Sequence, residues 1–209
     1  MDCNFEDDFC NWVNDTSGQR VWKRANGSLN AANTIYASGP NMDHTKMNIS
    51  GYFAYSDTRQ THSFNDKFRL ESPLIDPIEA CFEFYYYMFG NDINSLNVYI
   101  KQNDQYGAPV WSRARNQGPQ WLRGEVRLKN IQNKFKLVIE AVAGGYFSGI
   151  IAIDDTKLLQ NCPTKSNRTC DFESEDICGY QIIASSDVTW KRNTASDLNE
   201  PVFGPFTDQ

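Results

Sequence analysis

Two stretches of this chain open alike, Cys3-Asn-Phe5-Glu6 and Cys170-Asp-Phe172-Glu173. A second cysteine follows each (Cys10, Cys178), then an aromatic two residues later (Trp12, Tyr180). Trp22-Lys23-Arg24 returns as Trp190-Lys191-Arg192, and Gly39-Pro40-x-x-Asp43 as Gly204-Pro205-x-x-Asp208. Separated features recurring in one order mark an internal repeat. The repeat sets the expected organisation: one full domain over residues 1–162, a short polar linker over 163–169, and the N-terminal part of a second copy over 170–209. The second copy stops early, so the chain is expected to be a fragment of a longer, multi-unit protein. A unit of about 160 residues can bury a good core, whereas roughly 40 residues cannot do so alone.

Within the full unit, the run Cys81-Phe-Glu-Phe-Tyr-Tyr-Tyr-Met88 is the most regular. Phe82, Phe84, Tyr86 and Met88 share one face at period two, and β-forming residues dominate. Strands are also predicted over 49–56, 67–72, 121–128, 135–141 and 149–155, and where Leu96, Val98 and Ile100 alternate with polar residues. Turn residues separate these runs at Gly90-Asn-Asp, Asn103-Asp104, Asn116 to Pro119 and Gly144-Gly145. Residues 1–30, rich in Asn, Asp, Ser and Gly, read as loop and cap more than core. No stretch sustains a helical apolar face. The pattern predicts an all-β chain, an antiparallel sandwich or jelly roll.

The net charge of −6 comes from scattered residues, with no basic patch for a nucleic acid to bind. No apolar run approaches the ~20 residues needed to span a bilayer, so no direct membrane insertion is expected of this fragment. Met1-Asp2-Cys3 begins no signal-peptide pattern. Six cysteines, at 3, 10, 81, 162, 170 and 178, suit disulfides in an oxidising compartment. Cys-x-x-Cys pairs are absent, and His44 and His62 have no ligand-like spacing to any cysteine, which argues against zinc. Four Asn-x-Ser/Thr sequons, at Asn14, Asn26, Asn48 and Asn167, fit an extracellular glycoprotein.

The matching residues continue beyond the repeat. They are Cys3-x-Phe-Glu6 with Cys10 and Trp12, Gly39-Pro-x-x-Asp43-His44-Thr45, Gly51-x-x-x-Tyr55 and Leu70-x-Ser-Pro73. Cys81-x-x-Phe-x-Tyr86-x-Met88-x-Gly90, Trp121, and Ile151-Ala-Ile-Asp-Asp155 followed by Cys162 complete them. In this order they resemble the MAM domain (meprin, A5 antigen, receptor tyrosine phosphatase mu). Asn11 stands where that family commonly has Gly, and Thr156 where it usually has Ile or Val. The resemblance implies a disulfide-bonded jelly roll in extracellular, secreted or membrane-associated multi-domain proteins. It also implies a non-catalytic role in cell adhesion, with protein partners on the cell surface or in the matrix, or a second copy of the chain. The family's pairing would join Cys3 to Cys10 and Cys81 to Cys162, with Cys170–Cys178 opening the next unit. Two alternatives are a jelly-roll carbohydrate-binding module and an accessory domain of a secreted or membrane enzyme.

Three groups are candidates for chemistry. Asp43-His44 are neighbours without a nucleophile elbow, so His44 is read as a structural hydrogen-bonding residue and no catalytic residue is assigned. Strict alternation would point Asp155 inward with Ile151 and Ile153, and an inward carboxylate must be paired. The resemblance places Glu6 and Asp43 near this strand end. The three would offer oxygen ligands for Ca²⁺ or Na⁺, with Glu173 and Asp208 beginning an equivalent site and Asp154 a weaker candidate. The competing reading has Glu6 and Asp43 capping loops while Asp155 pairs with an arginine. Finally, Tyr85, Tyr87 and Phe89 lie opposite Phe82 and Phe84, either as an exposed contact row or under a covering loop.

Overall fold

The alternating run that begins at Cys81 is an interior strand of one sheet of a sandwich. The computed structural model describes residues 2–15, 20–30, 38–58, 64–91, 93–145, 149–160 and 162. The chain divides into two units, Met1–Cys162 and Pro163–Gln209, and all that follows concerns the first. The second-copy reading of 170–209, with Cys170, Cys178, Glu173, Asp208 and the linker residue Asn167, lies outside the described residues.

The strands are β1 (Val13–Asn14), β2 (Lys23–Asn26), β3 (Tyr52–Asp57), β4 (Lys67–Glu71) and β5 (Ala80–Gly90). They continue with β6 (Ile93–Gln102), β7 (Gln105–Ala114), β8 (Gly118–Leu128), β9 (Lys136–Ala143) and β10 (Gly149–Leu159). The first sheet runs β1-β4-β9-β6-β7 and the second β2-β3-β10-β5-β8. Every strand pairing is antiparallel. This is the expected antiparallel sandwich. A short 3-10 turn spans Gly27–Asn30.

The inner faces follow from period two. Phe82, Phe84, Tyr86 and Met88 of β5 and Ile151 and Ile153 of β10 face Leu70, Leu96, Val98, Leu137 and Ile139 across one core. In register, Ile151 sits beside Met88 and Ile153 beside Tyr86. Phe84 is wedged between Phe82, Tyr86 and Trp111, with ring centroids 5.2, 6.1 and 5.0 Å away. Its ring edge lies against Gly124 of β8, where a Cβ would come within 2.5 Å.

The N-terminal stretch departs from the loop-and-cap expectation. It is mostly irregular, yet Phe5, Trp12 and Trp22 are buried in the main core. Cys3 exchanges backbone hydrogen bonds with Thr156, at 2.9 and 2.8 Å, which fastens the chain's start to β10. The Cys3–Cys10 disulfide closes that segment, and Cys81–Cys162 ties the start of β5 to the chain just beyond the end of β10. The latter closes 81 residues of separation, worth roughly 4 kcal/mol by chain entropy.

The sequence reading contained no strand at β7. That strand is an edge, mostly exposed on both faces, so its residues carry no alternation to read. Pro109 within it suits an edge position. The Asn103-Asp104 turn before it has positive φ at both residues (48° and 59°), as a two-residue hairpin loop needs. β8 begins at Gly118, inside the stretch expected to be turn.

Gly124→Ala is expected to cost about 1–3 kcal/mol, because Phe84 is held on its other sides and cannot yield. Urea unfolding midpoints measure this, and adding Phe84→Leu should recover part of the loss.

Candidate functional site

The middle of the second sheet, along β3 and the first half of β10, is buried on both faces. Its outer side, formed by Phe53, Tyr55, Tyr87, Ile150 and Ala152, makes a second apolar cluster. The chain from Ser38 to Gly51 lies against this side. Tyr87 is buried and its hydroxyl donates to the Gly39 carbonyl at 3.3 Å. Burial pushes its phenol up to about 12. Tyr85 stacks on the His44 ring at 3.4 Å, and the Trp121 indole N–H donates to the Met42 carbonyl at 2.9 Å. Of the Tyr85-Tyr87-Phe89 row, Tyr85 and Tyr87 lie against a covering loop, while Phe89 packs beside Tyr87 and stays half-buried.

The anchor of this cover is a β-bulge. β10 pairs in step with β5 as far as Asp154 opposite Tyr85 and resumes at Lys157 opposite Glu83. Asp155 within the bulge has φ 47°. Strict alternation is therefore broken where the inward Asp155 was expected. Both carboxylates address the loop, and Asp154 is the fully buried one.

Asp154 Oδ2 accepts the backbone N–H of His44 at 2.8 Å and of Thr45 at 3.4 Å, while Oδ1 accepts the Asp155 N–H at 2.8 Å. Asp155 contacts His44 Nδ1 at 2.6 Å and accepts the Thr45 hydroxyl at 2.9 Å. The partner expected for Asp155 in the competing reading was an arginine. Here it is His44, because the bulge turns the carboxylate to the loop and the stack on Tyr85 holds the imidazole there.

Asp43 and Glu6 meet the same loop. Asp43 is fully buried and accepts the N–H of Lys46 at 2.6 Å and of Asn48 at 3.1 Å. Gly51 must be glycine, since a Cβ would fall 2.0 Å from the Asp43 carboxyl carbon. Glu6 accepts the Tyr52 N–H at 3.2 Å and pairs with the Lys46 ammonium at 2.6 Å. That hydrogen bond raises the Lys46 pKa above its ordinary 10.5.

The expected ligands Glu6, Asp43 and Asp155 thus surround one loop, each already accepting protein hydrogen bonds. Their oxygen chemistry suits a hard cation, while in this arrangement Glu6 and Asp43 accept backbone N–H groups and Asp155 bonds the His44 ring and Thr45 hydroxyl. Among the described residues no group of three or more His, Cys, Asp or Glu is arranged to hold a metal ion.

Sequence reasoning gave no role to Lys46 or Arg24. The Arg24 guanidinium donates to the carbonyls of Asp7 and Glu6 and lies 4.4 Å from the Tyr52 ring centroid. The signal for it was present, since Trp22-Lys23-Arg24 recurs at Trp190-Lys191-Arg192.

Asp154 makes stability depend on pH. Burial pushes its carboxyl up to about 8; the Asp155 charge adds to the rise, and the N–H bonds from His44, Asp155 and Thr45 oppose it. A carboxyl raised above its ordinary 3.8 favours the protonated folded state. Its stabilising contribution is full below that value and is lost as pH climbs to about 8. Melting temperature should therefore fall between pH 5 and pH 8, and Asp154→Asn should flatten that slope.

Comparison with known proteins agrees with this architecture. Residues 3–163 match the family model described as MAM domain, meprin/A5/mu. MAM domain-containing glycosylphosphatidylinositol anchor protein 1 of Gallus gallus is 32% identical over 169 residues, covering 78% of this chain and 18% of that protein. Neuropilin-1a of Danio rerio is 30% identical over 174 residues, covering 81% of this chain and 18% of that protein. The chain thus spans under a fifth of the length of these relatives, 18% in each case.

Among solved structures, the K1 cleaved adhesin domain of Lys-gingipain from Porphyromonas gingivalis superposes with a TM-score of 0.52 at 16% identity, covering 78% of this chain and 98% of that one. The K2 cleaved adhesin domain of Lys-gingipain gives 0.53 at 14% identity, covering 77% and 98%. At such identities the likeness is one of fold alone. With the family's pattern present from Cys3 to Cys162 and the two-sheet sandwich built on it, the chain belongs to the MAM domain family.

Proposed function

We propose that the chain is a non-catalytic, extracellular protein-association module from a protein that repeats the MAM unit. The observation that carries this is the family match over residues 3–163. Its partners are proteins of the cell surface or matrix, or a second copy of itself. Relatives named for a glycosylphosphatidylinositol anchor support an extracellular, membrane-associated setting, as do two disulfides in one unit. No helix among the described residues is long and apolar enough to cross a membrane.

The site's bonding order supports a non-catalytic reading. A nucleophile needs the base beside it and an orienting group behind the base. Here both the Thr45 hydroxyl and the His44 ring bond to Asp155, so the carboxylate lies between them. The carbohydrate-binding alternative relied on an exposed aromatic row, and two of its three rings, Tyr85 and Tyr87, lie against the loop.

Repetition multiplies weak contacts, since linked modules can gain ~10²–10⁴ in avidity without any new interface. The 209-residue chain should sediment as a monomer at low concentration yet aggregate beads that carry it densely, or bind them to cells. Micromolar binding of a simple sugar without bead aggregation or cell binding would replace this reading with the lectin-like one.

A Ca²⁺ or Na⁺ ion at Glu6, Asp43 and Asp155, with Glu173 and Asp208 as the counterpart in the next unit, belongs to the same proposal. Its support is charge: Glu6, Asp43, Asp154 and Asp155 all contact one loop whose ammonium is Lys46. An ion binding the folded state raises stability by mass action. Excess Ca²⁺ should lift the melting midpoint over chelator, and Asp155→Asn should erase the difference. Equal midpoints would leave loop capping as the whole role of these residues.

A further inference from the structure

Two of the sequons, far apart in sequence, meet in space. The Gly27 N–H of Asn26-Gly27-Ser28 donates to the Ile49 carbonyl of Asn48-Ile49-Ser50 at 3.0 Å. A Cβ on Gly27 would fall 2.9 Å from the Ile49 Cα, so the backbones are in direct contact. Around this junction the covering loop exposes apolar side chains to solvent: Met42 is 41% exposed, Met47 61% and Ile49 62%. Met47 and Ile49 flank Asn48 directly, so two exposed apolar side chains border one sequon asparagine.

We propose that this corner is a paired N-glycosylation site, and that the core sugars attached at Asn48 cover Met47 and Ile49. The acceptor groups are set out for it. Asn48 is exposed, and its Oδ1 accepts the Ser50 hydroxyl at 2.7 Å and the N–H groups of Ser50 and Gly51 at 2.9 and 3.1 Å. Its Nδ2, the atom that carries a glycan, has a single long contact, to the Lys46 carbonyl at 3.5 Å. Asn26 repeats the arrangement, with Oδ1 accepting the Ser28 hydroxyl at 2.5 Å and N–H at 3.1 Å.

Asn14 is different. Its Oδ1 accepts the Trp22 N–H at 2.6 Å and its Nδ2 donates to the Trp22 carbonyl at 3.1 Å, so its amide joins two backbone segments. The cover for the two exposed side chains is thus a sugar already tethered beside them. The apolar ring faces and N-acetyl methyl groups of the first sugars lie over Met47 and Ile49. This assignment rests on the extracellular reading above.

The full chain secreted from a eukaryotic host is the material for the test. Glycopeptide mass spectrometry is expected to find Asn48 occupied in most molecules and Asn26 in a substantial share. Complete removal of N-glycan from the folded protein should raise binding of an apolar-surface dye severalfold, whereas trimming to the first sugar should not. Met47→Lys with Ile49→Lys should abolish the rise. An unmodified Asn48 in protein glycosylated elsewhere would overturn the site and leave the association proposal standing. Occupancy without any dye response to deglycosylation would overturn the covering role.

Discussion

A sheet whose middle is buried on both faces needs a cover, and here one carboxylate fastens that cover. Asp154 lies at the end of the in-register part of β10, and it takes the backbone N–H groups of His44 and Thr45. Leaving a buried carboxylate unpaired would cost several kcal/mol, so closing the loop over the sheet and satisfying Asp154 are one event. Asp43 then folds the loop's far side by accepting from Lys46 and Asn48, and Gly51 leaves the room it requires. Tyr85 and Tyr87 are covered as a result, and with them part of a face that could have stacked against sugars.

The first sheet treats its outer face differently. Glu140 on β9 is buried there but bonded to Arg69 at 2.7 Å and to the Tyr99 hydroxyl at 3.1 Å. Burial, with the Glu140 charge, pushes the Tyr99 phenol up to about 12. Glu71 accepts from Lys101 at 2.6 Å and Lys136 at 2.7 Å. Charges paired across strands close this face, where the second sheet uses a loop.

The repeated residues of the sequence converge in space. Cys3 bonds to Thr156, Phe5 fills the core beneath it, and Arg24 clamps the turn at Glu6 and Asp7. Glu6 reaches the first residue of β3 and the Lys46 ammonium, and Asp43 completes the loop. What recurs along the chain is therefore the set of groups that joins the chain's start, the covering loop and β10. A motif of this kind preserves a scaffold corner, which fits a family whose members serve as modules in longer proteins.

Period-two alternation determined β5, β6, β9 and β10, because a central strand must bury one face completely and so writes its register in apolar residues. The same logic had nothing to report at β7, where an edge strand leaves both faces partly wet, or at the two residues of β1. Irregular residues 2–12 were invisible as core for a related reason: Phe5 and Trp12 are single apolar side chains in a polar stretch, with no periodicity to mark them. The sequence by itself also showed that Glu6 and Asp43 belong to a recurring pattern, with counterparts at Glu173 and Asp208. Where Asp155 points was decided only by the tertiary structure, since a one-residue bulge with φ 47° reverses what alternation implies. Contact between two sequons 22 positions apart (48 − 26) was decided there too, because loop packing against Gly27 depends on folded neighbours that no local pattern encodes.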